Sequence, residues 1–151
     1  MASGKSTLAR QVAKDKASVL ICEDALLAEL YPGEITDVSS YARLSVRLKS
    51  AMRPIVIELL RNGVSVVLDF PANTIRQRRW LKEVVTEAGA QYEFHFLDIP
   101  DAVCKSRLKL RVKNEPSRQS TDTEQMFDAM NQYFEAPSNE EGLNVAAGVK
   151  E

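Results

Sequence analysis

Histidine is almost absent from this sequence, and cysteine is scarce. The single histidine, His95, and the two cysteines, Cys22 and Cys104, make no C-x-x-C pair and no zinc spacing. That excludes a zinc module and a disulfide framework. It leaves two reduced, mostly buried thiols, as a cytosolic protein would carry. His95 falls mid-way along a predicted strand and is expected to pack in the sheet rather than do chemistry. No apolar run is long enough to span a bilayer. The start of the chain lacks a charged-then-apolar leader, so a cytoplasmic protein with no membrane partner is expected. An excess of positive charge is missing too: 20 lysines and arginines against 21 acids give a formal net charge of -1. A broad hold on duplex nucleic acid needs a basic surface, so no stable nucleic-acid binding is expected. A nucleotide or a nucleic-acid end stays open as a substrate. The remaining composition, 44% hydrophobic and 27% charged over 151 residues, is that of a globular chain with enough length for a real core. There is no repeat, linker or low-complexity tract, and residues 1–151 read as one domain.

Apolar periodicity sets out alternating elements. Lys5 to Lys16 reads as a helix with Leu8, Ala9 and Val12 on one face. The run ASVLIC (Ala17 to Cys22) reads as a buried strand. EDALLAEL follows as a helix and Pro32-Gly33 stops it. From Asp37 to Arg61, Tyr41, Leu44, Leu48, Met52 and Ile55 recur at helical spacing, with a kink or break expected near Arg53 because of Pro54. VSVVLDF (Val64 to Phe70) is the clearest strand. Arg76 to Gly89 is an amphipathic helix on which Trp80 is a packing anchor, and YEFHFLDI (Tyr92 to Ile99) is a third strand. Asp101 is the expected N-cap of a helix reaching Lys113. Residues 114–123 are polar and expected to form a mobile lid loop. A last helix from Thr123 to Phe134 leads into EAPSNEEGLNV and an end expected to fray. Strands alternating with helices point to an α/β fold, a parallel sheet covered on both faces.

Several residue groups carry chemistry in that frame. Ser3, Gly4, Lys5, Ser6 and Thr7 form the second half of the pattern G-x-x-x-x-G-K-[ST]. A loop entering a helix N-terminus offers open N–H groups and the positive end of the dipole to an anion. Gly4 would let the backbone approach a phosphate, Lys5 would reach its outer oxygens, and Ser6 would ligate Mg²⁺. A plain helix start capped by Ser-Gly satisfies the same residues. Asp24 leaves a strand at the end where α/β sheets bind ligands. It could take the proton of an attacking hydroxyl, or simply cap the helix behind it. Glu23 beside it is the weaker candidate base, since only one of the two can face a crevice. Asp69 ends the strongest strand and suits a magnesium role, or a turn cap before Pro71. Arg107 and Arg111, four apart, share a helix face and suit a lid closing over phosphates, or a solvated basic face.

Taken in order, ASGKSTLAR, LICED, VSVVLDFPANT, RQRRW and LDIPDAVCKSRLKLR resemble the kinase-like P-loop ATPases grouped with the AAA domains. That group is similar to zeta toxins, chloramphenicol phosphotransferase and the kinase domain of polynucleotide kinase. FEAPSNEEGLNV resembles the group's C-terminal segment, so nearly the whole chain is covered. The resemblance implies a three-layer α/β/α P-loop fold with a mostly parallel sheet, and ATP and Mg²⁺ as cofactors. It implies transfer of a γ-phosphoryl group to a hydroxyl of a small molecule or nucleotide. Gly4 to Thr7 would then hold phosphates and, through Ser6, the metal, with Lys5, Asp24, Arg107 and Arg111 as the catalytic set. Asp69 would stand behind the metal, and Asn73 completes a D-x-x-x-N segment. Arg76 and Arg79 would lie near the acceptor, and Tyr41, Arg43 and Arg47 would line part of its pocket.

In the family a central strand and the first loop glycine precede ASGKST, and here that half of the motif would lie upstream of Met1. The expectation is a natural chain that begins earlier. A different segment filling the gap, or a degenerate, poorly stable product, are the alternatives; the alternative function is a binding module that holds nucleotide weakly or not at all and transfers nothing.

Overall fold

The computed structural model describes residues 2–115 and 123–146. Its elements are helix α1 (Lys5–Asp15), strand β1 (Val19–Cys22), helices α2 (Glu23–Leu30) and α3 (Val38–Arg61), strand β2 (Val66–Asp69), and helices α4 (Ile75–Ala88), α5 (Asp101–Asn114) and α6 (Glu124–Asn131). A 3-10 turn spans Asn139–Glu141.

The two strands pair in parallel, Val19 with Val66 through Cys22 with Asp69. Parallel strands need a crossover, and α2 with α3 supplies it. Because side chains alternate across a strand, the sheet buries both faces. Ile21, Val66 and Leu68 turn toward α3 and α4, where they meet Val56, Ile57, Val84 and Trp80. Phe70 stacks on Trp80, ring centroids 5.9 Å apart. The opposite face lies under α1, whose buried Ala9 and Ala13 are four apart and small enough to let the helix sit close. Fully burying a residue such as Val84 contributes about 1.5–3 kcal/mol. A second cluster, Leu27, Leu44 and Leu48, joins α2 to α3. A third, Cys104, Leu108 and Phe127, joins α5 to α6.

α3 opens with a capping box between Asp37 and Ser40. It runs past Pro54 as one helix, so of the kink or break expected near Arg53 the break does not occur. Pro54 deprives the Ser50 carbonyl of its helical donor, and both residues are exposed, so the carbonyl is open to solvent rather than orphaned in the core. Gly63 and Gly89 end α3 and α4 with positive φ.

Three further expectations are corrected. Asp101 is the first residue of α5 and Pro100 its N-cap. The last helix stops at Asn131. Tyr92 to Ile99 forms no named strand. Its exposure alternates from Tyr92 to Phe96, but its pairing among the described residues is an isolated bridge, Phe94 to Val145. Phe94 N–H donates to the Asn144 carbonyl at 2.7 Å and Ala146 N–H to the Phe94 carbonyl at 3.0 Å. The strand pattern is in the residues, but a ladder needs a neighbour beside it. His95 is accordingly exposed, 3.8 Å from Glu93, rather than packed in a sheet. Of the expected lid loop, residues 116–122 lie outside the described residues.

The segment after α6 is laced down through Gly142, and the end expected to fray, residues 147–151, lies outside the described residues. Arg78 on α4, 1% exposed, donates through Nε and Nη2 to the two oxygens of Glu141 at 2.7 and 2.9 Å. Its Nη1 donates to the Ala72 and Glu135 carbonyls at 2.9 and 2.8 Å. Glu135 N–H donates to the Asn73 carbonyl at 2.8 Å, and Lys82 Nζ to the Glu141 carbonyl at 2.8 Å.

These contacts carry a pH dependence. Hydrogen bonds from Arg78 hold the Glu141 carboxyl below its ordinary 4.5. The Ser40 backbone N–H does the same for Asp37, ordinarily 3.8. A carboxyl whose folded value is depressed contributes stability above its unfolded value, lost as pH falls through the folded one. The melting temperature should therefore hold steady down to about pH 5 and fall progressively below it. Thermal scans from neutral pH into acid check this; a melting temperature that rises in acid would contradict it.

Candidate functional site

The site forms where α1 begins. Gly4 has φ 93, a left-handed conformation that a residue with a Cβ rarely adopts, and no side chain caps the helix. The Lys5 and Ser6 N–H groups thus lie open at the positive end of the dipole, while the Thr7 N–H donates to the Gly4 carbonyl at 3.0 Å. One residue on, Lys5 Nζ meets Asp69 Oδ1 in an ion pair. Asp69 is 2% exposed, at the C-terminal end of β2. Burial raises its pKa, but hydrogen bonds from Lys5, Ser6 and Cys22, with the charge of Lys5, outweigh burial and leave the carboxyl below its usual range. Lys5, Ser6 and Asp69 therefore converge on one point although 63 residues separate Ser6 from Asp69. The register explains it. Cys22 pairs with Asp69, and α1 lies across the face to which both turn. Cys22 Sγ is 3.4 Å from Asp69 Oδ2. Burial, with the charge and bond of Asp69, pushes the Cys22 thiol up against the pull of the Ala25 backbone N–H. The two cysteines form no disulfide with each other; Cys104 is buried and Cys22 half-buried.

Arg107 of α5 reaches the same loop. Its Nη1 donates to the Ser3 carbonyl at 3.3 Å and lies 3.7 Å from where a Cβ on Gly4 would be. Arg111, one turn further along α5, is half-buried. Thr7 is exposed on α1.

Asp24 stands exposed in the first turn of α2, at the exit of β1. Its charge acts on both Cys22 and Tyr41, so it borders the Asp69 centre without joining the Lys5 pair. Glu23 is turned the other way and fully buried. Its Oε1 accepts the Ser45 hydroxyl at 2.7 Å and the Tyr41 hydroxyl at 3.0 Å, and Lys49 Nζ is 3.5 Å from Oε2. Tyr41, Ser45 and Lys49 are four apart, one stripe of α3. Burial, followed by the charges of Glu23 and Asp24, drives the Tyr41 hydroxyl pKa far up. Tyr41 thus serves this network, while Arg43 and Arg47 are exposed on α3.

Arg76 and Arg79 are exposed, and Arg79 lines an open cavity of about 400 Å³ on the α3–α4 seam with Arg53, Lys82 and Glu87. The buried arginine of that run, Arg78, was not among the residues singled out from sequence. The signal was there: Arg78 sits at helical spacing from Leu81, Val84 and Ala88, a charge on an apolar stripe. Glu23 had a similar one, four residues from buried Leu27.

A family model described as AAA domain matches residues 1–137. The chain belongs to the AAA-domain family. Among curated proteins no match was found. Membership fits the geometry: the AAA-domain fold here is α/β/α, helix α1 on one face of the parallel pair and α3 with α4 on the other. It points to nucleotide binding through a P-loop of the kinase-like kind. Among the described residues, no helix is long and apolar enough to cross a membrane.

Proposed function

We propose that this AAA domain binds ATP with Mg²⁺ and transfers the γ-phosphoryl group to a hydroxyl of a small molecule or nucleotide. The convergence of Lys5, Ser6 and Asp69 at the open N-terminus of α1, under Arg107, carries the proposal. The motif likeness to zeta toxins, chloramphenicol phosphotransferase and polynucleotide kinase supports the same reaction class.

The residues fit both cofactors. Among the described residues no group of three or more His, Cys, Asp or Glu forms a ready metal cage. Mg²⁺ in phosphoryl-transfer sites asks for less: one or two protein oxygens, with waters and phosphates completing the shell. Ser6 and Asp69 are a donor set of that kind. When bound, MgATP supplies the transferable group and the divalent charge that offsets its oxygens. Lys5 and the amides of Gly4 to Thr7 hold phosphate oxygens, releasing Asp69 from its ion pair. Arg107 and Arg111 offset charge on the transferring group. Asp24 takes the acceptor's proton at its carboxylate.

A second reading, a module that binds nucleotide without transferring phosphate, draws on the sheet. Among the described residues β2 has one strand neighbour and Tyr92 to Ile99 joins no ladder, and so small a sheet supports a site that binds without transferring.

Thermal unfolding with and without MgATP tests the proposal. Ligand at about 100 times its dissociation constant should stabilise the fold by about 2.7 kcal/mol. No shift at millimolar MgATP contradicts nucleotide binding. A shift, with label from the γ-phosphate appearing in an acceptor, supports transfer; a shift with no transfer to any hydroxyl acceptor favours the second reading.

A further inference from the structure

We propose that Arg78 is a positioning residue for Asp69, locked by Glu141 of the C-terminal strap, so that the strap sets the affinity of the site for its divalent cation. The proposal rests on the reading of Asp69 as a magnesium ligand.

Asp69 ends β2, and the next five residues lead into α4. Phe70 is fixed by its stack on Trp80. The Ala72 carbonyl is held by Arg78 Nη1 at 2.9 Å, and the Asn73 carbonyl by the Glu135 N–H at 2.8 Å. The turn that carries the Asp69 backbone is therefore fastened by one guanidinium and one strap amide. The guanidinium is itself fixed from the far side by both oxygens of Glu141, and the Ser138 N–H donates to Glu141 Oε1 at 3.0 Å. Nothing in the core requires a charge here. A buried ion pair is often no more stabilising than a well-packed apolar pair, but an apolar residue could not hold a carbonyl and a carboxylate at fixed angles. The planar fork of arginine does.

The test uses the full chain with Arg78→Lys and Glu141→Gln, at a temperature where circular dichroism shows both folded. ATP affinity is measured by calorimetry without divalent ion and then across a Mg²⁺ titration. Partners behind a metal ligand typically govern 10- to 100-fold in metal affinity, so the Mg²⁺ midpoint should rise about tenfold or more, with Mg²⁺-free ATP affinity changed less than about twofold. Amide exchange in the same variants should quicken at residues 69–74 and stay unchanged in α1. An unchanged Mg²⁺ midpoint in folded variants overturns the proposal. So does exchange that quickens only in the strap, or equally throughout the sheet. If Arg78→Lys does not fold, Glu141→Gln, which keeps one acceptor for the guanidinium, carries both measurements. If the wild type shows no Mg²⁺-dependent nucleotide binding, the proposed function fails. The exchange pattern then still decides whether the strap places the Asp69 turn.

Discussion

Replacing Asp24 with asparagine is expected to lower phosphoryl transfer by about 10²- to 10⁴-fold, the usual contribution of a positioned general base. MgATP affinity should stay nearly unchanged. The expectation follows from how the site is divided. Lys5, Ser6 and Asp69 form one centre at the start of α1, whereas Asp24 stands at the exit of β1, exposed and outside that ion pair. Asparagine has the same shape and cannot take a proton. It gives up a favourable charge in the first turn of α2, which costs about 0.3–1 kcal/mol at an exposed position, so the fold should survive. Calorimetry with MgATP and label transfer from the γ-phosphate check the two halves separately. Undiminished transfer would remove Asp24 as the base. A parallel loss of MgATP affinity would move it to the nucleotide side.

Arg78→Met should be the most destabilising single change in the α4 region. It removes four hydrogen bonds and leaves the Glu141 carboxylate, about 10% exposed, without its partner. Breaking one side of a buried pair costs about 3–5 kcal/mol. In a chain of this length that lowers the melting temperature by about 10 °C. Adding Glu141→Leu should recover part of the loss, because the double variant strands no charge. Thermal melts of the wild type, the single variant and the pair make the comparison. A single variant that melts within a degree or so of the wild type would mean that Arg78 is not holding the strap.

The two variants bear on different levels of the same design. Asp24 was legible as a candidate because its signal is local: a carboxylate directly after an apolar strand. Gly4, Lys5 and Ser6 were legible for the same reason, since one spacing pattern encodes loop and helix together. Asp69 was placed at the end of β2 by strand reading alone, but its ion pair with Lys5 and the tilt of its pKa were not. They arise because the register sets Cys22 beside Asp69 and because α1 packs on that face. Arg78 and Glu23 show the limit most clearly. Each is a charge on a helix stripe that otherwise packs inward, and residue type alone argued for solvent. Their partners, Glu141 for one and Tyr41, Ser45 and Lys49 for the other, come from segments that meet only when the chain folds.

The sequence by itself determined strands β1 and β2, the helix ends at Gly63 and Gly89, and the candidate loop residues where α1 begins, all of which depend on neighbours a few positions away. The tertiary structure alone decided three matters. It left Tyr92 to Ile99 outside the sheet, because a ladder requires a second backbone beside the first. It fastened the C-terminal segment to Arg78, because burying a guanidinium requires a carboxylate at matching distance. And it brought Arg107 over Gly4, because the site is assembled from the ends of elements that only packing sets side by side.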